Sequence, residues 1–536
     1  METTHSESGT PELAEPHLRQ LLGAAGLAVE YVRAEGNTLY LRGDDGEEIP
    51  VADFAGGYGS VLLGHHHPDI VRCARELLDA GTPVHAQFSR HPYANRLAAE
   101  LNQIVHRELG TDEPYFAIFA NTGAEAVEAA VKHAEMDRVM RLADLRGELA
   151  AAVESTRRAV DAGDAVVPER LRARFGIMGT LDDAAAFREL AAHIEPLNGA
   201  RLDRRPLFLA LEGGFHGKLG LSVQLTHNES YRAPFRGLAA QARFVPRESP
   251  EALREIHERE RGVVLAFTVS GGQVDVVERE FPVFCAFLVE PIQGEGGVHV
   301  LSPEFAGEIQ RFCAEIDCPI VVDEIQSGMG RTGTLLASSP LGLRGDYYTL
   351  AKTLGGGIAK TSAMLVRQAR YRPEFEIVHS STFAKDSFSC VIALKVLELL
   401  EADDGAVYRT ARERGAALRA VLDGVRADFP EQVREIRGEG LMLGMEFHDQ
   451  SGAASASVRE LAATGLFGYF LAGHLLREHR VRTFPTASAL NTLRFEPSVR
   501  LTDAELALLD DGLRDLCRAL AAGDGERLVG RAAVAG

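Results

Sequence analysis

The 536-residue sequence has few cysteines, no long apolar run and no excess of positive charge. Its six cysteines are scattered, and Cys313 and Cys318 lack both CxxC spacing and a second pair, so we expect free thiols in a reducing cytoplasm. The polar, acidic segment 1–16 has no apolar core of the kind that directs secretion. No apolar stretch approaches the length of a membrane span, and a net charge of −20 argues against binding nucleic acid. We therefore expect a cytoplasmic protein without membrane or nucleic-acid partners, and we predict no metal site.

Strand-like and helix-like stretches alternate from about residue 75 to 365, which predicts an α/β layer with a mostly parallel sheet. The clearest predicted strands are 114–120, 207–212, 285–289, 320–322 and 347–350. After about residue 370, long amphipathic helices surround a small β unit. We predict an N-terminal segment that belongs to a small domain (1–74), a large domain (75–368), and the remainder of the small domain (369–536), which ends in a loose tail after Ala522.

A segment at about 134–205 is unusually rich in Ala, Arg, Leu and Glu. Its apolar residues recur at helical spacing, first at Leu142, Leu145 and Leu149 and again at Phe187 and Leu190. We predict a helical insertion that lies outside the catalytic core. Its apolar stripes need cover, which the core, a partner subunit or a third protein that carries an acceptor could provide.

Lys352 and Asp323 each follow a short apolar run that is typical of a strand. A lysine can form a Schiff base, and a carboxylate can hold a pyridinium nitrogen, which are the two protein groups that pyridoxal phosphate (PLP) needs most. Taken alone, a surface lysine before the glycines at 355–357 and an acidic residue at a helix start explain each residue as well. The two together make a stronger signal.

Further motifs also follow predicted strands. Residues 121–126 (Asn-Thr-Gly-Ala-Glu-Ala) open a helix whose free N–H groups could bind a phosphate, although an ordinary capped helix explains this motif better by itself. Phe215, beside glycine, could stack on a planar ring, and a buried Phe at a turn is the simpler reading. Residues 290–297 form a polar loop bounded by Pro and Gly.

These motifs together, in this order, resemble the class III (ornithine/4-aminobutyrate type) aminotransferases, which are PLP enzymes of fold type I, the aspartate aminotransferase fold. The resemblance runs from about Asp53 to the last helix. Its remaining motifs are 56–58, 63–68, 215–217, 322–333, 381–383 and 493–495.

The resemblance implies that Lys352 carries the cofactor and moves protons, while Asp323 keeps the ring nitrogen protonated. It implies that Gly123 and Ala124 hold the phosphate with their backbone and that Thr382 reaches the phosphate of a neighbouring subunit, so that the active site needs a homodimer. The other cofactor residues that it implies are Thr122, Phe215 stacked on the ring, His216, Glu290 near the ring face, Gln326 at the ring hydroxyl, and Ser381.

On the substrate side, Arg494 resembles the arginine that binds an α-carboxylate, and Glu295 the glutamate that neutralises it when the other substrate lacks one. Tyr58 and Lys218 match pocket positions. Three departures from the family pattern stand out: Ala124 replaces a hydroxyl residue, 383–386 replaces Gly-Gly-Asn, and 358–361 replaces an aromatic-Pro pair. They suggest a divergent branch, in specialised metabolism, with an unusual amine acceptor.

The resemblance implies transfer of an amino group from a donor to an aldehyde or keto acceptor. Epimerisation, racemisation or another Cα reaction on the same cofactor is the main alternative, because the cofactor does not choose among them. A non-catalytic scaffold on this fold is a second alternative. The presence of both Lys352 and Asp323 argues against a scaffold.

Overall fold

A computed structural model describes residues 13–43, 45–85, 89–90, 92–177, 179–238 and 241–530. Its strands are β1 (Tyr31–Glu35), β2 (Thr38–Arg42), β3 (Glu48–Asp53), β4 (Tyr115–Ala120), β5 (Leu207–Leu211), β6 (Ala242–Val245), β7 (Gly262–Ser270), β8 (Gln273–Phe281), β9 (Phe284–Val289), β10 (Ile292–Gln293), β11 (His299–Val300), β12 (Ile320–Asp323), β13 (Tyr347–Leu350), β14 (Ser362–Arg367), β15 (Val433–Glu439), β16 (Met442–Phe447), β17 (Val481–Arg482), β18 (Phe484–Pro485) and β19 (Thr492–Phe495).

The helices are α1 (Pro16–Ala24), α2 (Gly56–Gly59), α3 (Pro68–Asp79), α4 (Pro92–Leu109), α5 (Gly123–Asp161), α6 (Glu169–Arg174), α7 (Asp183–Leu202), α8 (Ser222–Leu225), α9 (Glu229–Arg232), α10 (Pro250–Glu260), α11 (Pro303–Glu315), α12 (Phe375–Val378), α13 (Ser387–Asp428), α14 (Ala456–Ala463), α15 (Phe467–His479), α16 (Asp503–Ala521) and α17 (Gly525–Val529). A break at 402–405 interrupts α13. In the part of the chain described, no helix combines the length and the apolar character that crossing a bilayer requires.

A seven-stranded sheet with the order β4-β14-β13-β12-β9-β5-β6 forms the centre of the molecule. Only β14 within it runs antiparallel to its neighbours, so the predicted mostly parallel sheet and its five predicted strands are confirmed. Strands β5, β9, β12 and β13 are buried along their whole length because helices cover both faces, which explains their continuous apolar runs.

Successive residues of these strands pack to opposite sides of the sheet. Val321 and Tyr347 join the apolar cluster on the α5 side, whereas Val322 and Tyr348 join the larger cluster on the other side. This alternation follows from the two-residue period of a strand. It holds β12 and β13, which carry Asp323 and precede Lys352, between two apolar layers.

The N-terminal strands pair with the C-terminal part of the chain. Strand β3 runs parallel to β17 in a four-stranded sheet, and a second sheet has the order β15-β16-β19-β18. This pairing supports our proposal that residues 1–74 and 369–536 make up one small domain.

The prediction of a loose tail after Ala522 is wrong for residues up to 530, because Leu528 is buried in α17 and Arg527 binds Asp515. Residues 531–536 lie outside the described part.

The segment 134–205 is largely helical as predicted, but its first helix is a continuation of the helix that begins at Gly123. Helix α5 extends without interruption from Gly123 to Asp161, and α7 returns along it. The distal half packs on the hairpin β7–β8, which the sequence analysis did not identify. Its turn is Gly271-Gly272, where both residues have positive φ, a conformation that suits glycine.

The apolar stripes of this insertion are covered by the chain itself. Leu142 and Leu145 join the main core, whereas Phe187 and Leu190 join a separate cluster with residues of the hairpin, including Phe267. Asn198 clamps the hairpin, since its amide donates to the Leu265 carbonyl at 2.8 Å and accepts from the Leu265 N–H at 2.9 Å. The stripes therefore give no reason to expect a partner subunit or a third protein at this surface.

We predict that Phe187→Ala loosens the insertion without affecting the cofactor. Phe187 is 2% exposed and meets Phe267 edge-on at 5.0 Å, so truncation removes about 3–5 kcal/mol of local stability. Hydrogen exchange in α7 and β7 should accelerate while the absorbance of bound PLP stays the same. Leu197→Ala, a matched change on the same helix at a residue 37% exposed, should alter exchange little. Loss of PLP from a folded Phe187→Ala protein would contradict our placement of the insertion.

Candidate active site

A cavity of about 500 Å³ opens where the parallel strands end. Ligands of α/β proteins bind at this edge, where the carboxyl ends of the strands meet loops and helix starts. The predicted site residues in its wall are Thr122, Gly123, Ala124, Phe215, His216, Lys218, Glu290, Glu295, Asp323, Gln326 and Lys352. Other residues of the wall include Ser60, Asn121, Ile325, Lys360 and Thr361, and the described part of 134–205 contributes none.

Lys352 comes two residues after β13 and has a φ of 49°, in the left-handed region that non-glycine residues seldom adopt. Such strain persists where the surrounding structure enforces it, and it is common at functional sites. Burial lowers the pKa of Lys352, an effect that the negative charges of Glu496 and Glu295 only partly offset. A larger share of the amine is therefore neutral, which is the nucleophilic form.

Asp323 ends β12 and is held at both oxygens. Its Oδ1 accepts from the Thr349 hydroxyl at 3.1 Å and from the Ile325 N–H at 3.2 Å, while Oδ2 lies 2.8 Å from Nδ1 of His216. Burial opposes the charging of His216, but the bond to Asp323 outweighs it and raises the pKa of His216. A fixed carboxylate of this kind is what a protonated pyridine nitrogen requires.

The start of α5 forms the phosphate end of the cavity. Thr122 caps the helix, because its hydroxyl accepts from the Glu125 N–H at 3.3 Å and Glu125 accepts from the Thr122 N–H at 2.8 Å. The capping box and the proposed phosphate site therefore coexist, since the first turn keeps further N–H groups for an anion. Gly123 is needed here, because a Cβ would lie 2.9 Å from Ile325 side-chain atoms.

Phe215, Glu290 and Gln326 surround the middle of the cavity. The Phe215 N–H donates to Glu290 at 2.8 Å, and burial raises the pKa of Glu290 to about 8. At neutral pH this carboxyl is mostly protonated and adds little negative charge beside Asp323. The Nε2–H of Gln326 donates to Oε1 of Glu496 at 2.8 Å.

Arg494 and Glu295 form a buried, two-pronged ion pair on the substrate side, with Nη2 and Oε2 at 2.6 Å. Burial disfavours the charge of Arg494, but Glu295 outweighs that effect and raises the arginine pKa. Tyr58 lies over the guanidinium at 4.9 Å, and Lys218 lies 4.0 Å from the centre of the Tyr231 ring. The structure thus brings these predicted substrate residues to one side of the site.

Ser381 and Thr382 do not line the cavity of their own chain. The Ser381 hydroxyl accepts from the Asn121 amide at 2.8 Å, next to the phosphate end, whereas Thr382 faces outward. This placement leaves the contact from a neighbouring subunit as a prediction.

Sequence reasoning missed Glu496 and Lys360. Glu496 stands two positions after Arg494 at the end of β19, and the two-residue period of a strand could have placed both side chains on one face. Lys360 lies in the stretch 358–361 that we had identified only as a departure from the family pattern, and it lines the cavity wall. No local pattern distinguishes it from a surface lysine.

The residues present fit PLP in chemistry and in space. A lysine, a fixed carboxylate, a helix start and an aromatic ring line one cavity, whose volume lies within the range of small-molecule sites. A mostly parallel sheet with this lysine and this aspartate at the ends of neighbouring strands defines a PLP enzyme of fold type I.

Residues 23–487 match the family model "Aminotransferase class-III", and the chain belongs to this family. It is 28% identical over 525 residues to aminotransferase PigE of Serratia sp. (strain ATCC 39006), an alignment that covers 90% of this chain and 50% of PigE. The chain therefore spans about half the length of this curated relative. The predicted family, enzyme class, fold type and PLP cofactor are confirmed.

Solved structures agree on the fold. Ornithine aminotransferase from Toxoplasma gondii ME49 superposes with a TM-score of 0.63 at 21% identity, covering 92% of this chain and 91% of its own. A PLP-bound amine transaminase from an uncultivated Pseudomonas species superposes with a TM-score of 0.64 at 20% identity, covering 97% of this chain and 99% of its own.

We predict that Asp323→Asn binds PLP but reacts slowly with an amino donor. The cofactor ring would lose the counter-charge that keeps its nitrogen protonated, and loss of one such electrostatic group costs about 100-fold or more. Stopped-flow absorbance of the first half-reaction measures this rate. Asp137→Asn removes another buried, ion-paired aspartate, outside the cavity, and controls for general effects of charge loss. A half-reaction rate near that of the native protein would refute the role of Asp323.

Proposed function

We propose that this chain moves a primary or distal amino group from a small-molecule donor to an aldehyde or keto acceptor. The observation that carries the proposal is the Glu295–Arg494 ion pair beside Lys352. With the pair closed, the site accepts a substrate without an α-carboxylate. A substrate that has one can bind Arg494 in place of Glu295, because carboxylate and guanidinium match as a two-pronged pair. A site in which Arg494 can pair either with Glu295 or with a substrate carboxylate suits a reaction with two unlike substrates.

PLP, when bound, supplies a carbonyl carbon that links to amines and a ring that accepts electrons from the substrate carbon. Lys352 would hold the cofactor between reactions and, with a donor amine in its place, would move a proton at the substrate carbon. Its lowered pKa keeps more of the free amine neutral and ready to accept that proton. Asp323 would hold the proton on the ring nitrogen, and His216 and Thr349 keep Asp323 in place.

We also propose that the active protein is a homodimer in the cytoplasm. The segment that carries Thr382 includes strongly exposed apolar residues: Ile377 is 88% exposed and Phe383 is 66% exposed. Exposed apolar side chains grouped in this way suit a subunit interface, and the nearby Ser381–Asn121 bond sets the segment beside the phosphate end. The departures at 124, 358–361 and 383–386 support an unusual acceptor and a role in specialised metabolism.

The first test separates amino transfer from the alternatives by absorbance. A true donor, added without acceptor, should convert the lysine-linked cofactor to its amine form, and an acceptor should reverse the change. Screening amines and amino acids in this assay also identifies the donor. An epimerase or racemase would exchange the Cα hydrogen of a substrate with solvent without accumulating the amine form, and a scaffold would do neither. Either of these results would overturn the proposal.

We predict that Arg494→Ala impairs donors that carry an α-carboxylate more than simple amines. The lost two-pronged contact is worth about 1.5–3 kcal/mol, or roughly 10- to 150-fold in kcat/KM. In Glu295→Gln, Arg494 loses its counter-charge when a substrate without a carboxylate binds, so reaction with that substrate should slow instead. The ratio of kcat/KM for the two substrate types in each variant measures the effect. Equal losses of kcat/KM for both substrate types in Arg494→Ala would argue against the exchange of partners at Arg494.

A further inference from the structure

Glu496 is a buried carboxylate that the reaction described above does not use. It directly follows β19 and is 1% exposed. Its Oε1 accepts from Nε2 of Gln326 at 2.8 Å, whereas its Oε2 is buried and has no hydrogen-bond partner among the described residues. Burying such an oxygen costs stability unless something compensates it, which is a reason to look for a role of Glu496 outside folding.

Two arginines near Glu496 do not compensate it directly. Arg331 donates to the backbone carbonyls of Pro497, Leu441 and Gly59. Arg494 binds Glu295 and the Pro485 carbonyl. Gly59 lies beside the carboxylate, and a Cβ there would be in ordinary van der Waals contact with Oε1 at 3.4 Å and Oε2 at 3.8 Å. The carboxylate is therefore held in a defined place with one oxygen still able to accept.

Glu496 lies beside the segment that carries Lys352: a Cβ on Gly59 would be 3.4 Å from its Oε1, and the Gly59 carbonyl accepts from the hydroxyl of Thr353, the residue after Lys352, at 3.0 Å. Among the charges that stabilise the Lys352 ammonium, Glu496 contributes most, ahead of Glu295 and Asp323, and the positive charge of Arg494 opposes them. The charged or titratable groups that interact with Glu496 itself are Lys352, Arg331, Arg494 and Tyr58. Gln326 connects Glu496 to the cavity wall, since it binds Glu496 and also lines the cavity.

We propose that Glu496 is a positioning residue: its charge raises the proton affinity of the Lys352 nitrogen, in the free lysine against the opposing effect of burial and likewise in the cofactor-linked form, and its hydrogen bond holds Gln326 at the cavity wall. A negative charge in a water-poor site favours a nearby cation strongly, because screening there is weak. The inference needs PLP bound to Lys352 but neither a donor nor an acceptor. It therefore stands or falls independently of the proposed amino transfer.

The test is a pH titration of the absorbance of the bound cofactor, which reports the proton on the lysine-linked nitrogen. Glu496→Gln removes the charge and keeps both the shape and an oxygen that can accept from Gln326, and Glu496→Met also removes the unpartnered oxygen but leaves the Gln326 amide without its acceptor. In both variants the midpoint should fall by about one pH unit, a tenfold loss in proton affinity. Glu496→Asp, which keeps the charge, should stay closer to the native midpoint than either.

A second readout uses the protein without cofactor. The pH dependence of Lys352 acylation, followed by mass spectrometry, should move to lower pH in Glu496→Gln and Glu496→Met, while acylation of the half-buried Lys395, which lies outside the cavity, should not move. An unchanged absorbance midpoint in either folded, PLP-loaded neutral variant would overturn the proposal. So would an unchanged acylation profile, because a purely structural Glu496 would alter neither measurement.

Discussion

The parallel pairing of β12 with β13 sets the geometry on which the site depends. This register places Asp323 opposite Thr349, and the Thr349 hydroxyl binds the carboxylate directly. Lys352 follows three residues later, after the chain has left the sheet with a left-handed turn. A one-residue slip would turn every side chain of β13 to the opposite face, so the apolar layers on both sides of the sheet also fix the distance between the carboxylate and the amine.

The ionisable groups of the cavity differ in their hydrogen-bond partners and therefore in their charge. Asp323 has His216 and Thr349, and Glu295 has Arg494, so both carboxylates have hydrogen-bond donors. Glu290 accepts from one backbone N–H among the residues that the structure describes, and burial raises its pKa to about 8. Lys352 is not a member of any of these pairs, and burial lowers its pKa. Separate protonation states at neighbouring groups are what acid–base chemistry near neutral pH requires.

The sequence was sufficient for the features that depend on local order. Apolar runs followed by a polar residue located β12 and β13 together with Asp323 and Lys352, and the capping box located the start of α5. Features that depend on distant pairing were not predictable in this way. The hairpin β7–β8 covers α7 from about 70 residues further along the chain, and no residue of α7 encodes that partner.

Two further features could not be predicted from the sequence for the same physical reason. The segment after Ala522 was predicted to be loose because its residues are small and polar, but Arg527 and Leu528 of α17 contact distant helices. Glu496 stood next to a recognised motif, but its importance depends on Gln326, 170 positions away in the sequence. Burial of an ionisable group is a property of tertiary packing, and one sequence without its structure does not reveal it.

The central claim is that Lys352 is the residue that holds PLP. Among the described residues, three lysines line the cavity, Lys218, Lys352 and Lys360, so the claim distinguishes one of three candidates. Reduction of the PLP-loaded protein with borohydride fixes the cofactor to its lysine, and peptide mass spectrometry then locates the label. We predict the label on Lys352 and its disappearance in Lys352→Ala, with Lys360→Ala still labelled at Lys352. A label on Lys218 or Lys360 in the native protein would contradict the account.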